Sequence, residues 1–172
     1  MSLRGTLRIG GDEAISTIMD IQKALSLAYF FLKFRARTEK EIERYLEKKS
    51  LRFHFDGNTI QETIKQLKEQ GYINDKKFVG MYVRDRTLLK PRSSFLLQRE
   101  LSHLGISKDL IEEYFSQHET DEYALALKTL NGRKTSLLRQ DEKTRFKKAI
   151  SYLLRKGFTY DVAKKAYQYI FS

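Results

Sequence analysis

Apolar residues recur at helical spacing along nearly the whole chain. Ala24, Leu25, Ala28, Tyr29 and Leu32 share one stripe, and Phe30, Phe31 and Phe34 widen it. Thr38 followed by Glu41 reads as a capping box, so a second helix opens there with Ile42, Tyr45 and Leu46 on its apolar face. The period breaks from Ser50 to Asn58, and no glycine closes that helix. Asn58 or Thr59 then caps a third helix, with Ile60, Ile64 and Leu67 inward. Phe78, Met81, Tyr82 and Val83 start the next face. It ends at Lys90, because the residue before Pro91 leaves the helical region, and Pro91 is placed to open the following helix. Phe95, Leu96, Leu97, Leu101 and Leu104 follow, then a short acidic helix from Lys108 to Gln117. Asp121 opens a helix bearing Ala124, Leu125, Leu127 and Leu130, which Asn131-Gly132 interrupts. Asp141 opens another with Phe146, Ile150, Leu153 and Leu154. The last carries Val162, Ala163, Ala166, Tyr167 and Ile170.

One punctuation mark recurs through this pattern. It reads Leu67-x3-Gly71-Tyr72-x2-Asp75, then Leu101-x3-Gly105-Ile106-x2-Asp109, then Leu153-x3-Gly157-Phe158-x2-Asp161. A glycine accepts the left-handed conformation that closes a helix, and the apolar residue after it can fold back on the last turn. Asn74, Ser107 and Thr159 are good caps for the helix that follows, and each aspartate falls in a first turn, where the helix dipole favours negative charge. Gly71, Asp75, Gly105, Asp109, Gly157 and Asp161 are therefore read as structural repeat caps.

A helix–turn–helix unit of this size cannot bury its own apolar face, so such units must stack. The expected fold is all-α, an elongated array of three tandem three-helix repeats. Residues 1–19 are expected to be an irregular N-terminal arm, followed by repeats over 20–73, 74–120 and 121–172. A single proline and nine glycines in 172 residues suit a helical protein with short loops. No cysteine is present, which excludes disulfides, thiolate catalysis and cysteine-bound metals. No apolar run reaches the ~18 residues of a membrane span and no signal peptide opens the chain, so a cytoplasmic protein without a membrane partner is expected.

The net charge of +11 is unevenly placed: residues 121–172 carry 12 basic and 5 acidic groups, whereas residues 78–120 carry 6 of each. That asymmetry points to a polyanionic partner. Arg35, Arg37, Arg84, Arg86, Arg92, Arg155 and Lys156 cluster at helix ends and are the contact candidates. Tyr45, Tyr160, Tyr167 and Tyr169 are the aromatics placed to be partly exposed and to stack on bases. No catalytic constellation is found. His54, His103 and His118 are scattered, with no paired metal-ligand spacing, and no glycine-rich phosphate loop occurs. No enzyme activity, metal or cofactor is expected. Glu100 to Asp109 resembles the turn of a DNA-reading helix-turn-helix, but the helix after it carries Asp109, Glu112 and Glu113, which phosphates would repel. A helix-turn-helix transcriptional regulator is the alternative reading, and a protein-binding helical scaffold a third.

Four stretches together resemble one family. Gly71-Tyr72-Ile73-Asn74-Asp75-Lys76-Lys77-Phe78-Val79 with the downstream Tyr82-Val83-x-x-Arg86 is similar to its Gly-x-Leu-Asp-Asp-x-Arg-Phe-Ala motif. Arg35-x-x-Thr38-x-x-Glu41-Ile42 is similar to its Arg-x-x-Ser-x-x-Glu-Leu. Arg99-Glu100-Leu101-x-x-x-Gly105-Ile106 and Leu153-Leu154-Arg155-Lys156-Gly157-Phe158 resemble two further signatures. The family is RecX, the regulatory protein of the RecA recombinase, and the resemblance runs from about Ala24 to Ile170. It departs at Asn74, which replaces the first of two aspartates, and at His103-Leu104, where a basic residue usually precedes the glycine. The resemblance implies a modular helical protein that binds in the groove of the RecA–single-stranded DNA filament. It implies that the protein restrains recombinase and coprotease activity, with single-stranded DNA as a second candidate partner. A monomer is expected.

Overall fold

A computed structural model describes residues 9–172, with side chains from residue 14 onward. Among the described residues the chain is helical throughout, with no strand. The helices are α1 (Ile9–Leu32), α2 (Glu39–Phe53), α3 (Gly57–Glu69), α4 (Asp75–Leu89) and α5 (Ser94–His103). They continue with α6 (Lys108–Gln117), α7 (Glu122–Asn131), α8 (Lys134–Leu138), α9 (Glu142–Arg155) and α10 (Tyr160–Phe171). The irregular arm expected over residues 1–19 is corrected over 9–19, which form the first turns of α1; residues 1–8 lie outside the described residues. The five-residue α8 follows Asn131-Gly132, where the sequence shows only a break.

The chain divides into two compact units, 1–78 and 79–172. In the first, α1, α2 and α3 pack on one another around Ala24, Ala28, Ile42, Leu46, Ile60, Ile64 and Leu67. Phe30 and Phe34, expected to widen the α1 face, are instead exposed and meet each other edge to face. In the second unit α7, α9 and α10 enclose Leu125, Leu130, Ala149, Ile150, Leu153, Phe158, Ala163 and Tyr167. Leu97, Leu101 and Ile106 are buried in the same unit, where α5 packs on α6. Burying side chains of this size stabilises by about 1.5–3 kcal/mol each before chain entropy is counted.

All three punctuation glycines take left-handed φ, +77° at Gly71, +88° at Gly105 and +89° at Gly157. In each, the amide of the next residue donates to the carbonyl of the leucine that opens the motif: Tyr72 to Leu67 at 2.9 Å, Ile106 to Leu101 at 3.1 Å, Phe158 to Leu153 at 3.2 Å. This is the 6→1 bond of a Schellman cap. Ile106 and Phe158 are buried after their glycines, as the pattern requires. In the first copy Tyr72 is exposed and Ile73 is buried instead, because that turn has one more residue before its cap at Asn74.

Three boundaries differ from the sequence reading. The helix ending at Phe53 is closed by His54 itself in the left-handed conformation, φ 57°. The N-cap of α3 is Asp56, whose Oδ1 accepts from the Thr59 amide at 2.7 Å, rather than Asn58 or Thr59. Helix α5 opens at Ser94 behind an Ser93 cap, not at Pro91. An aspartate or serine oxygen satisfies an amide that proline or a bare helix start would leave unmet.

Candidate nucleic-acid and recombinase interface

The basic residues at helix ends fall into two physical classes. Arg35 and Arg37 both converge on Glu41. Arg35 grips it with two guanidinium nitrogens, at 2.5 and 3.1 Å, and Arg37 lies 3.4 Å away with its guanidinium over the Phe31 ring. Glu41 also completes the capping box on Thr38. Burial alone would raise the Glu41 carboxyl. The Arg35 and Thr38 hydrogen bonds and the charges of Arg35 and Arg37 outweigh it and hold the carboxyl below the usual range.

The second unit repeats this arrangement. Arg86 and Arg92 converge on Glu100, which also accepts a hydrogen bond from the Tyr82 hydroxyl at 2.9 Å. Arg86 in turn donates to that hydroxyl oxygen at 3.2 Å. These four arginines are paired to part-buried glutamates, Arg35 from an exposed position, and Arg37, Arg86 and Arg92 each keep a buried Nε without a hydrogen-bond partner.

The remaining candidates are different. Arg84 is exposed but lies within α4 (Asp75–Leu89), more than a turn from either end, so its expected helix-end placement is corrected. Arg155 is exposed near the end of α9, and Lys156 lies 5.6 Å from the centre of the Tyr152 ring. Arg155 lines a groove of about 780 Å³ between α8 and α9. Arg133, Ser136, Leu137 and Gln140 form one wall, spaced i, i+3, i+4, i+7. Thr144, Lys147, Lys148, Ser151, Tyr152 and Arg155 form the other. Buried Leu137 is the apolar part of the first wall. No carboxylate lines the groove, and among the described residues Arg133, Lys147, Lys148 and Arg155 form no ion pair. The structure thus sets Arg155 among three further cations, Arg133, Lys147 and Lys148, that are not among the candidates read from the sequence. The signal was present as the polar stripe of α9 opposite Ile150 and Leu153; what hid it was the undetected α8.

Of the aromatics, Tyr160 and Tyr169 are exposed, and Tyr45 is half-buried with its ring stacked on Phe31. Tyr167 is corrected: it is buried against Phe146 and Phe171, so it cannot stack on bases. The helix that would read DNA in a helix-turn-helix, α6, carries Asp109, Glu112 and Glu113, and its Lys108 is paired with Glu112 at 3.4 Å. Among the described residues no helix is long and apolar enough to cross a membrane.

These features define a helical-repeat protein with a basic groove. Residues 74–114 match the second three-helix domain of RecX, and residues 119–167 match the third. The chain is 32% identical over 167 residues to the regulatory protein RecX of Streptococcus gordonii, covering 92% of this chain and 61% of that protein. It is also 32% identical over 168 residues to regulatory protein RecX of Streptococcus pneumoniae, covering 93% and 61%. The chain belongs to the RecX family of regulatory proteins. It spans about three fifths of the length of these relatives. The crystal structure of RecX from Lactobacillus salivarius is similar with a TM-score of 0.69 at 26% identity, covering 89% of this chain and 97% of that one. A second crystal structure of a regulatory protein RecX shares the fold with a TM-score of 0.73 at 24% identity, covering 95% and 79%.

Proposed function

We propose that this chain restrains a RecA recombinase filament assembled on single-stranded DNA. The observation that carries the reading is the match to RecX regulatory proteins along most of the chain. The charge supports it: +11 overall, with the excess in the last third. The effect is steric and electrostatic rather than catalytic. The helical array occupies the filament groove, bridges neighbouring recombinase subunits and blocks duplex entry or filament growth, lowering recombinase and coprotease output. The protein acts as a cytoplasmic monomer without a cofactor. Of the seven candidate cations, Arg84, Arg155 and Lys156 are proposed as direct contacts. Arg35, Arg37, Arg86 and Arg92 are proposed to shape the surface through Glu41 and Glu100.

The test is titration into a preformed RecA filament on single-stranded DNA while ATP hydrolysis and strand exchange are followed. Inhibition well below one protein per recombinase subunit is expected. No effect on the filament, together with tight binding to one duplex sequence, would replace this reading with a transcriptional one.

A further inference from the structure

We infer that the groove between α8 and α9 is a seat for a single nucleic-acid strand, gripped through its phosphates. This deepens the proposed function by giving the strand its own site, and rests on that reading only for its biological setting. Three observations carry it. First, Arg133, Lys147, Lys148 and Arg155 all line one concavity with no carboxylate among its residues, so their fields add rather than cancel. Second, none of the four is in an ion pair, whereas Arg35, Arg37, Arg86 and Arg92 are paired to internal glutamates; an anion need displace no internal partner to bind. Third, two of the four cations are held by neutral groups. Lys148 Nζ donates to Gln140 Oε1 at 2.6 Å, and the Arg133 guanidinium lies 5.2 Å from the Tyr152 ring centre.

The dimensions favour a strand over a lone phosphate or a duplex. From Lys147 to Arg155 the helix rises about 12 Å at ~1.5 Å per residue, long enough for more than one consecutive phosphate of a strand to lie along it. A duplex is read by an element that protrudes into one of its grooves. Here the protein surface is the concave partner, a basic cleft that tracks one backbone.

The test is binding of full-length protein to a fluorescent oligothymidine by anisotropy, without recombinase, over a range of salt concentrations. The groove variant is R133Q/K147Q/K148Q, and the control is K33Q/K48Q/K77Q, with the same charge change on exposed lysines of the first unit. Each strand phosphate neutralised contributes about 0.7 to the slope of log affinity against log salt. The groove variant should therefore lose about 2 from the slope and about a hundredfold in affinity at 0.1 M salt. K147Q alone should lose about 0.7, and the control should bind nearly as tightly as the parent. All changed side chains are exposed, so circular dichroism melts should coincide. The inference is overturned if the groove and control variants behave alike, if the parent shows no salt-dependent binding, or if duplex binds through the groove more tightly than the single strand. The filament titration reads separately. Inhibition by a parent that fails the oligothymidine test would leave the proposed function standing without this seat. A groove-dependent strand affinity with no effect on the filament would leave the seat and remove that function.

Discussion

Gly157 is held by two independent constraints, and Gly71, which is held by one of them, shows what each is worth. Its φ of +89° costs an L-residue about 1–2 kcal/mol in the left-handed region. A Cβ there would also stand 2.8 Å from Leu96 Cβ and closer still to Ser93 Oγ. That hydroxyl is buried and caps α5 by accepting from the Leu96 amide at 3.2 Å, while the Ser93 amide donates to the Lys156 carbonyl at 3.0 Å. The space is closed because the third glycine turn sits directly on the start of α5. At Gly71 the φ is +77°, yet nothing lies within 4 Å of the added carbon. Gly71→Ala should cost about 1 kcal/mol, and Gly157→Ala about 3 kcal/mol or more, read as the difference in urea midpoints. Equal losses at the two positions would mean that Ser93 and Leu96 move aside freely. The three glycine stops were legible because only glycine takes such a φ without strain. His54 was not, since a left-handed histidine leaves no mark in composition, and the Asp56-Gly57-Asn58-Thr59 run offers several plausible caps of which packing selects one.

At the scale of helices, the chain ties the start of one helix to an acid from another. Asp75 Oδ1 accepts from the Glu39 amide at 3.0 Å, so it serves the first turn of α2 as well as that of its own helix α4. Burial raises the Asp75 carboxyl above its usual range despite that bond. In the second unit Glu122 Oε1 accepts from the Ser94 amide at 2.6 Å, capping α5 from the start of α7. The sequence shows Asp75 as a first-turn residue, which is correct and incomplete, because the amide it also reaches lies 36 positions away; Glu122, which reaches an amide 28 positions away, carries no signal of that role in the sequence. The same holds for the arginines: helix-end placement was visible, but neutralisation by Glu41 and Glu100 depends on which helices meet.

That neutralisation has a pH signature at Glu41. Its carboxyl is depressed in the folded protein, so the unfolded chain binds a proton more readily, and the stabilisation is complete above the ordinary glutamate pKa of about 4.3. It is lost as pH falls through the lower folded value. Glu41→Gln should cost about 2 kcal/mol at pH 7, and the gap from the parent should close as pH falls below about 4.3 and through the depressed folded value. A gap that stays constant would assign the loss to packing or to the capping box alone. Glu100→Gln, which leaves Arg86 and Arg92 sharing no anion, should likewise cost about 2–3 kcal/mol in thermal or urea unfolding. A loss below about 0.5 kcal/mol would show that solvent already screens the pair.

For the whole molecule the question is whether the charge of +11 acts as a sum or through its placement. A long-range field accelerates encounter with a polyanion whatever the position of each charge, whereas bound contacts govern how long the complex lasts. Charge reversal separates the two. Arg133, Lys147 and Lys148 changed to glutamate subtract two charges each, taking +11 to +5. Lys33, Lys48 and Lys77 changed to glutamate do the same on the first unit. Both variants should associate more slowly with a RecA–single-stranded DNA filament, by similar factors that shrink toward one as salt is raised. Only the groove variant should also dissociate faster, about tenfold or more, in surface-plasmon or stopped-flow traces at fixed salt. Faster dissociation of both would mean that the filament contacts the first unit as closely as it contacts the groove. Slower association without any change in dissociation would make the groove part of the steering field rather than of the bound complex. The division into a basic last third and a neutral middle was plain in the chain, and the groove that concentrates part of this charge required α8 to fold opposite α9.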